Sequence, residues 1–388
     1  MATQVSDRTG RWTADPGFGV YVHIPFCKHR CHYCDFNTYE GQGELHLPYV
    51  DALIADIENG DPGRPATSIF FGGGTPTLLP AGELSRILRA LAERIGVNPG
   101  AEVTVEANPE TVNEAKFGAL LEAGFNRVSI GIQSLAPRVL AQLGRAHSAE
   151  RALEAVRAAR LAGFEEVNAD LIYGSPWEST SDWMASLEGV AAAGPEHISA
   201  YALTVEAGTP LHTLVASGRS SDVDPDIQAE RHEIASEFLG DAGYERYEVS
   251  NWAKPGHASE HNVLYWCAGD YLGLGAGAHG HLDGRRYWNE RLPRNFVALV
   301  SSKRSTEAGT ELLDADTRAG EAMMLGLRLA SGVQVDAFTN RYGGRWFDAR
   351  AGVVSDLEAA GLLVSSDGWL RLSPGSTLVA NDILCRLL

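Results

Sequence analysis

The sequence lacks any apolar run of about 18 residues, the length that a transmembrane helix needs, so we expect no direct insertion into a membrane. Residues 1–19 lack the apolar segment of a secretory signal. Cysteine is also scarce: three of the five cysteines fall within residues 27–34 and two are isolated, which is not the pattern of a disulfide framework. Together these absences predict a cytoplasmic protein.

Basic side chains are in deficit. The 388 residues contain 32 Lys and Arg against 50 Asp and Glu, which gives a net charge of −18. This field repels a phosphate backbone, so we expect no nucleic-acid partner. It also disfavours adhesion to anionic lipid, so any role at a membrane would need a protein partner. The proportions of apolar residues, 44%, and charged residues, 21%, are typical of a folded globular protein.

Predicted strands and helices alternate from residue 19 to about 205. The predicted strands are Val20–Ile24, Ser68–Phe71, Val103–Glu106, Arg127–Ile132, Val167–Ile172 and His197–Leu203. The predicted helices are Ala81–Ile95, Glu114–Glu122, Ala149–Ala162 and Ser181–Ala193. About six βα units in series imply a parallel sheet, either an open doubly wound sheet or a partial barrel.

The pattern changes after residue 205. It predicts a helix over Asp226–Leu239, an extra strand over Glu245–Ser250, a helix that follows Asp314, and a terminal hairpin that turns at Ser366–Gly368. The helices and hairpin at the end are typical of a small winged-helix-like α+β domain. We therefore divide the chain into a flexible tail (residues 1–18), an α/β barrel (19–250), a connecting segment (251–310) and a C-terminal domain (311–388).

The strongest chemical signal is HIPFCKHRCHYCDF, residues 23–36. Its spacing C-x₃-C-x₂-C places three thiolates on one loop, where they could bind one metal centre. Three cysteines on a four-iron cluster would leave one iron open to another ligand. The alternative is a zinc site, whose fourth ligand would be His23, His29 or His32.

A glycine-rich segment, FFGGGTPT (residues 70–77), follows the second predicted strand. Glycines let the backbone approach a ligand and leave peptide groups free to bind it. Taken alone, the segment could be a flexible turn. At the carboxyl end of a parallel strand beside the cysteine loop, it lies where ligands bind in such sheets.

The cysteine spacing, the aromatic Tyr33 before the last cysteine and the glycine-rich strand end resemble the radical S-adenosylmethionine (SAM) superfamily. The resemblance implies a partial (βα)₆ barrel. It also implies a [4Fe–4S] cluster on Cys27, Cys31 and Cys34, with an exchangeable SAM on the open iron. Seven motifs narrow the resemblance to the oxygen-independent coproporphyrinogen III oxidase-like family, which includes HemW-type haem chaperones: VHIPFC, FFGGGTPT, VTVEANPE, RVSIGIQS, LGRAHS, NADLIYGSP and YALTVEAGTPL.

By motif, the resemblance also assigns residues to SAM binding. Glu106 and Asp170 would accept hydrogen bonds from ribose hydroxyls or the ammonium group, and Arg145 would pair with a carboxylate. The full set is Tyr21, Tyr33, Gly73, Gly74, Thr75, Glu106, Gln133, Arg145 and Asp170.

Two departures distinguish the branches of this family. The coproporphyrinogen III dehydrogenases carry a fourth cysteine two residues after the third, where this chain has Phe36. They also have a longer segment before the first strand. Both departures argue against coproporphyrinogen oxidase activity. They leave open whether the chain is an enzyme, and we assign no catalytic residue.

Residues 261–266, HNVLYW, match the H-N-x-x-Y-W motif of HemW-type chaperones. The resemblance implies contact with haem b through His261, Asn262, Tyr265 and Trp266. An imidazole can bind haem iron, and aromatic rings offer flat apolar faces to a porphyrin. Taken alone, histidine and aromatics in such a fragment are more often core packing. His279 and His281 in GAGAHGHLDG are further imidazoles, which the sequence does not favour as ligands.

The resemblance thus implies a haem chaperone that binds haem and transfers it to apo-haemoproteins, including respiratory enzymes. A coproporphyrinogen III dehydrogenase is the first alternative, and a zinc-bound interaction protein is the second. The sequence does not decide whether the chain forms a homodimer or whether SAM is cleaved.

Overall fold

A computed structural model describes residues 8–59 and 64–388. In the first half of the chain, eight strands alternate with six helices. The strands are β1 (Phe18–Ile24), β2 (Phe26–Cys27), β3 (Tyr39–Glu40), β4 (Ala66–Gly73), β5 (Val97–Ala107), β6 (Arg127–Gln133), β7 (Glu166–Tyr173) and β8 (His197–Ala202). The helices are α1 (His46–Asn59), α2 (Ala81–Arg94), α3 (Glu114–Glu122), α4 (Pro137–Leu143), α5 (Ala149–Ala162) and α6 (Thr180–Ala193).

Six of these strands form a parallel sheet in chain order, β1-β4-β5-β6-β7-β8. A doubly wound sheet would reverse its strand order near the middle, so the sequential order identifies the predicted partial (βα)₆ barrel. Strands covered on both faces are buried along their whole length, and every residue of β6 is buried. Gly163 and Gly194 end α5 and α6 in the left-handed conformation, which glycine adopts without strain.

The following segment extends this sheet at both edges. Its helices are α7 (Pro210–Ala216), α8 (Pro225–Asp241), α9 (Glu260–Trp266) and α10 (Pro293–Ser301). Its strands are β9 (Glu245–Arg246), β10 (Asn251–Ala253), β11 (Asp270–Leu274), β12 (His279–Leu282), β13 (Arg285–Asn289) and β14 (Glu307–Leu312). The extra strand expected over Glu245–Ser250 is shorter than predicted and is limited to β9.

The strands added at the β1 edge lie beside the strand that leads to the cysteine motif. Strand β11 pairs with β1 in parallel, on the side opposite β4, and β12, β13 and β14 continue the sheet in antiparallel order. Strands β10 and β9 extend the sheet beyond β8. The segment that we treated as a connection therefore supplies strands of the central sheet.

The C-terminal domain has its own small core. Its elements are α11 (Ala315–Gly326), β15 (Val333–Gln334), α12 (Val335–Tyr342), α13 (Arg345–Ala359), β16 (Leu363–Ser366), β17 (Trp369–Leu372) and α14 (Ala380–Leu387). The three strands form a separate sheet in the order β15-β17-β16. The predicted hairpin is confirmed, with Asp367 at φ 53° and Gly368 at φ 79° in its turn. Helix α11 begins after Asp314, whose side chain accepts a hydrogen bond from the Thr317 N–H.

Residues 8–17 differ from the expected flexible tail. The Trp12 side chain is 3% exposed and packs in the core of the C-terminal domain, with its ring centroid 6.3 Å from that of Phe338. Arg8 forms ion pairs of 2.8 Å with Glu166 and Glu260. Burial of a large indole offsets the entropy cost of ordering this segment. Residues 1–7, the rest of the predicted tail, lie outside the described residues.

Among residues 8–59 and 64–388, no helix combines the length and the apolar character needed to cross a bilayer.

Candidate cofactor and ligand site

The three cysteines of the motif lie on the segment between β1 and α1, with Cys27 at the end of β2, and each sulfur contacts a polar side chain. Arg145 Nη1 donates to Cys31 Sγ at 3.2 Å, and Thr75 Oγ1 donates to Cys27 Sγ at 3.8 Å. Cys34 Sγ lies 3.9 Å from Thr38 Oγ1. All three thiols are half-buried and unpaired. Hydrogen bonds to the sulfurs are a usual means of tuning an iron–sulfur cluster, so this donor set fits one.

Backbone contacts hold the loop against the barrel. The His32 N–H donates to the Leu143 carbonyl oxygen at 3.0 Å, and the His32 carbonyl accepts from the Leu211 N–H at 2.9 Å. His32 Nδ1 bonds to the Gln142 carbonyl oxygen at 2.8 Å. The ring of His23 is buried with both nitrogens bonded, and His29 is exposed. Of the three imidazoles considered for a zinc site, His23 thus has both ring nitrogens engaged, whereas the contact of His32 involves Nδ1 alone.

Burial raises the pKa of the Cys27 thiol to about 11, and burial likewise raises the pKa of Cys34. Thiolates, not thiols, bind metal, so cluster assembly must displace these protons. The positive charge of iron supplies the driving force for that displacement. Loading of the loop is therefore expected to release protons.

The glycine-rich segment brings backbone against the cysteine loop. The Gly74 N–H donates to the Ile24 carbonyl oxygen, and a Cβ on Gly74 would lie 2.5 Å from the Phe26 carbonyl oxygen. Gly73 has φ 114°, and its N–H donates to Glu106 Oε2 at 3.1 Å. Larger residues at these two positions would force the strand ends apart. The close approach fixes Thr75, whose N–H donates to the Phe26 carbonyl oxygen at 2.7 Å.

Two carboxyl groups, of Glu106 on β5 and Asp170 on β7, stand on the strands that flank β6. Burial, together with the nearby charge of Asp170, raises the pKa of Glu106 to about 8. Burial also raises the pKa of Asp170, although its carboxylate accepts from Ser129 Oγ at 2.8 Å and Asn168 Nδ2 at 2.7 Å. A cationic ligand would stabilise both charges, which suits the predicted contact of these groups with an ammonium.

Arg145 connects the loop with the strand ends. Besides Cys31, its guanidinium donates to Asn108 Oδ1 at 2.6 Å and to the Gly131 carbonyl oxygen at 2.8 Å. Asn108 in turn donates to Thr75 Oγ1 at 2.8 Å. We did not predict Asn108, although its position two residues after Glu106 in VTVEANPE is a usable signal.

Two other predicted SAM contacts lie in the surroundings of this network. Gln133 has φ 67° and is 9% exposed, at a register shift between β6 and β7. Tyr33 is half-buried and packs against the apolar cluster of Val139 and Leu143. Burial raises the pKa of its phenol, which therefore stays neutral.

A cavity of about 800 Å³ opens beside this network. Its wall combines three predicted SAM contacts, Tyr21, Gly73 and Glu106, with Tyr265 of the HNVLYW motif. The remaining lining residues are His23, Phe36, Asn37, Tyr271, Gly277, His279, Trp288, Asn289 and Arg291. Phe36, at the position of the missing fourth cysteine, is 65% exposed. The sequence did not predict that one cavity joins the two motifs.

The HNVLYW motif forms most of helix α9. The His261 side chain is 1% exposed, with Nδ1 2.9 Å from Ser68 Oγ and Nε2 2.9 Å from the Tyr265 hydroxyl. Its ring also stacks on Phe70 at 5.3 Å. Burial lowers the pKa of His261 to about 4. The predicted iron ligand therefore lies behind the cavity wall, with both ring nitrogens occupied.

The other three residues of the motif that we expected to contact haem lie in different surroundings. Tyr265 faces the cavity and contacts the Tyr271 ring edge-on, with 4.6 Å between centroids. Trp266 packs against the core of the C-terminal domain, and Asn262 Nδ2 donates to the Tyr247 hydroxyl at 3.5 Å. Of the four residues predicted to contact haem, only Tyr265 lines a cavity among those that we identify within the described part of the chain.

A second cavity, of about 450 Å³, adjoins the first and borders the C-terminal domain. Tyr265, Tyr271 and His279 line both cavities. The other residues of its wall are Ala268, Gly269, Gly280, His281, Arg286, Leu313, Arg318, Glu321, Leu325 and Tyr342.

The buried phenol of Tyr49 forms hydrogen bonds with backbone groups on both sides of the larger cavity. The Tyr49 hydroxyl donates to the His23 carbonyl oxygen at 2.8 Å and accepts from the Ala276 N–H at 2.8 Å. His23 belongs to β1, which leads to the cysteine loop, and Ala276 lies in the turn that leads to β12. The phenol satisfies two backbone groups that would otherwise be buried without partners.

Family models match two parts of the chain. Residues 21–189 match the radical SAM superfamily, and residues 313–375 match the HemN C-terminal domain. Membership of the radical SAM superfamily implies a [4Fe–4S] cluster and SAM.

Curated relatives cover most of the chain. The haem chaperone HemW of Mycobacterium tuberculosis is 42% identical over 322 residues, which span 81% of this chain and 83% of the relative. HemW of Bacillus subtilis is 34% identical over 94% of this chain and 97% of the relative. Among solved structures, coproporphyrinogen III oxidase (HemN) from Escherichia coli, a radical SAM enzyme, superposes with a TM-score of 0.82. It covers 100% of this chain and 93% of the HemN chain, and at 22% identity the likeness shows the shared fold alone. On this similarity and fold, the chain belongs to the HemW family of the radical SAM superfamily.

Proposed function

We propose that this protein is a haem chaperone that carries a [4Fe–4S] cluster with an exchangeable SAM, binds haem b and transfers it to apo-haemoproteins. The observation that carries the proposal is the single cavity whose wall contains Tyr21, Gly73 and Glu106 on one side and Tyr265 on the other. Its volume of about 800 Å³ lies in the range of cofactor pockets. The names of the relatives that cover most of the chain add support.

On the cluster side, Cys27, Cys31 and Cys34 would hold the iron–sulfur group, which supplies low-potential electrons and one iron open to SAM. Arg145 fixes Cys31 by a charge-assisted hydrogen bond. Glu106 and Asp170 would accept hydrogen bonds from the cationic and hydroxyl groups of SAM. We assign no catalytic residue, because the chain's own groups supply binding and electrostatics at this end.

On the opposite side, the rings of Tyr265, Tyr271 and Trp288 offer apolar faces to a porphyrin. The exposed guanidinium of Arg291 is the natural partner of a propionate, since Arg binds carboxylates through parallel hydrogen bonds. We further propose that the protein acts in the cytoplasm and that its acceptors include respiratory enzymes, which it would meet as protein partners.

The test combines two measurements on one anaerobically reconstituted sample. Haemin is titrated while the Soret band is followed, and coproporphyrinogen III is incubated with SAM and a reductant. The proposal predicts stoichiometric haem binding without decarboxylation, followed by transfer of the haem to a small apo-cytochrome. Formation of protoporphyrinogen would instead identify a biosynthetic enzyme, and failure to take up iron and sulfide would favour the zinc alternative.

A further inference from the structure

Three histidines line the two adjoining cavities, and they differ in what their rings contact. His23 is buried, and its nitrogens bond to the Tyr21 hydroxyl and the Asn37 carbonyl oxygen, each at 2.9 Å. His281 Nδ1 lies 3.3 Å from the Gly269 carbonyl oxygen and 3.3 Å from the Asp270 carboxylate. His279 is exposed, and in the described part of the chain neither of its ring nitrogens has a hydrogen-bond or ion-pair partner.

The position of His279 suits a ligand at the boundary of both cavities. It belongs to the wall of each cavity, as do Tyr265 and Tyr271. Its ring stacks on Trp288, its register partner on β13, with 6.0 Å between centroids and an interplanar angle of 28°. This contact orients the imidazole without using either nitrogen, so a lone pair remains available to a metal.

The residues around His279 also suit the flat ring and the propionates of a porphyrin. Tyr265, Tyr271 and Trp288 supply the flat surfaces, and Arg291 supplies a cation on the same wall. The Arg291 guanidinium has no ion-pair partner among residues 8–59 and 64–388. In a chain with a net charge of −18, an unpaired arginine beside an unpaired histidine is a specific arrangement for an anionic, metal-bearing ligand.

We infer that His279, and not His261 of the HNVLYW motif, supplies the imidazole that binds the iron of the transported haem. This inference rests on the function proposed above and assigns the ligand within that site. His261 would have to break two hydrogen bonds and leave its buried position to reach the cavity, whereas His279 already borders it. A permanent metal-binding histidine usually has its second nitrogen fixed by a carboxylate or carbonyl. His279 lacks such support among the described residues, which favours a labile bond suited to transfer.

The experiment titrates His279→Ala and wild-type holoprotein with haemin and, separately, with metal-free protoporphyrin IX. We expect haemin to bind the variant at least about tenfold more weakly, the lower bound for loss of even an outer-shell partner of a metal site. The Soret band of a histidine-bound haem is lost, and added imidazole restores it. Protoporphyrin IX, which has no iron, binds both proteins equally. His212→Ala is the control, because His212 is an exposed histidine on α7 that lines neither cavity, and it should retain the wild-type spectrum.

Three results would overturn the inference while leaving the chaperone function intact. The first is an unchanged haemin affinity and spectrum in His279→Ala. The second is an equal loss of haemin and protoporphyrin binding, which would make His279 a shaping residue of the cavity. The third is a folded His261→Ala variant that alone loses the histidine-bound spectrum. Absence of haemin binding by the wild-type protein would instead refute the proposed function itself.

Discussion

The two sides of the large cavity are built differently. On the cysteine side, polar groups have protein partners: Arg145 contacts both Cys31 and Asn108, and Gly73 contacts Glu106. On the side of β12 and β13, His279 and Arg291 are exposed and have no ion-pair partner in the described part of the chain. Supported side chains hold a group in place, and unsupported ones allow exchange. Under the proposed function, the first side would retain a cofactor and the second would release its ligand.

The largest expected effect tests whether the cluster and the haem site act independently of each other. Cys31→Ala removes one of the three thiols, so we expect the protein to lose the cluster, as measured by iron and sulfide content after anaerobic reconstitution. Haemin affinity should stay at the wild-type value, because no cysteine lines either cavity. Cys385→Ala, which changes an exposed and remote thiol, is the control and should keep its cluster. Loss of haem binding together with the cluster would show that the two sides act as one.

A smaller effect is expected when the support of the cysteine side is weakened. Arg145→Ala removes the donor to Cys31 Sγ, and we expect cluster affinity to fall by about 10–100-fold, as for other outer-shell partners. The rate at which an iron chelator strips the cluster under anaerobic conditions measures this effect. Arg138→Ala removes an exposed ion pair with Asp182 and serves as the control. Equal stripping rates in both variants would contradict a supporting role for Arg145.

His261→Ala tests the buried hydrogen bonds behind the wall of the large cavity. The change deletes a buried ring with two hydrogen bonds, so we expect a loss of roughly 2–4 kcal/mol in the free energy of unfolding. Denaturant titration measures the loss. Ser68→Ala removes one partner of the same ring and should cost less. The folded fraction of His261→Ala should keep the wild-type Soret position, since His261 lies outside both cavities.

The smallest effect concerns pH in the SAM-free protein. The pKa of Glu106 is raised from its ordinary value of 4.5 to about 8 by burial and by Asp170. Between these values the unfolded carboxylate is ionised while the folded one is protonated, so stability falls as pH rises from about 5 to about 8. Because Glu106 borders an open cavity, we expect only about 1 kcal/mol over this window.

The matched variant for this pH effect is Glu106→Gln, which cannot ionise. Its unfolding free energy should vary less with pH between about 5 and about 8, and saturating SAM should reduce the difference from wild type by pairing the carboxylate with an ammonium. Parallel pH profiles of wild type and variant, without SAM, would show that Glu106 is already ionised at neutral pH.

The cysteine side of the large cavity could be predicted from the sequence, whereas the β12–β13 side could not. The cysteine loop and the segment from Gly72 to Thr75 are each contiguous and lie at predicted strand ends, so their contact follows from the parallel topology. The β12–β13 side depends on the pairing of β11 with β1, whose partners Phe18 and Asp270 are far apart in the chain. No local pattern encodes such a pairing, and the segment therefore looked like a connection.

The structure of α9 was missed for a related reason. Seven residues rich in aromatics have no clear period, so their helical state is decided by partners outside the segment. Ser259 caps the helix, and the buried Glu102 carboxylate accepts from Ser259 Oγ at 3.0 Å and from the N–H groups of Glu260 and His261. Glu102 lies on β5, and the sequence gives no sign that it meets these residues.

The parallel pairing of β1 with β11 also limits how the two sides of the large cavity can move apart. Five residue pairs, together with the Tyr49 phenol, join the strand before the cysteine loop to the strand before His279. A clamshell motion that pulled the two sides apart would have to break this backbone ladder. If the protein delivers haem as proposed, the recipient's own iron ligand would replace the imidazole while β1 and β11 stay paired.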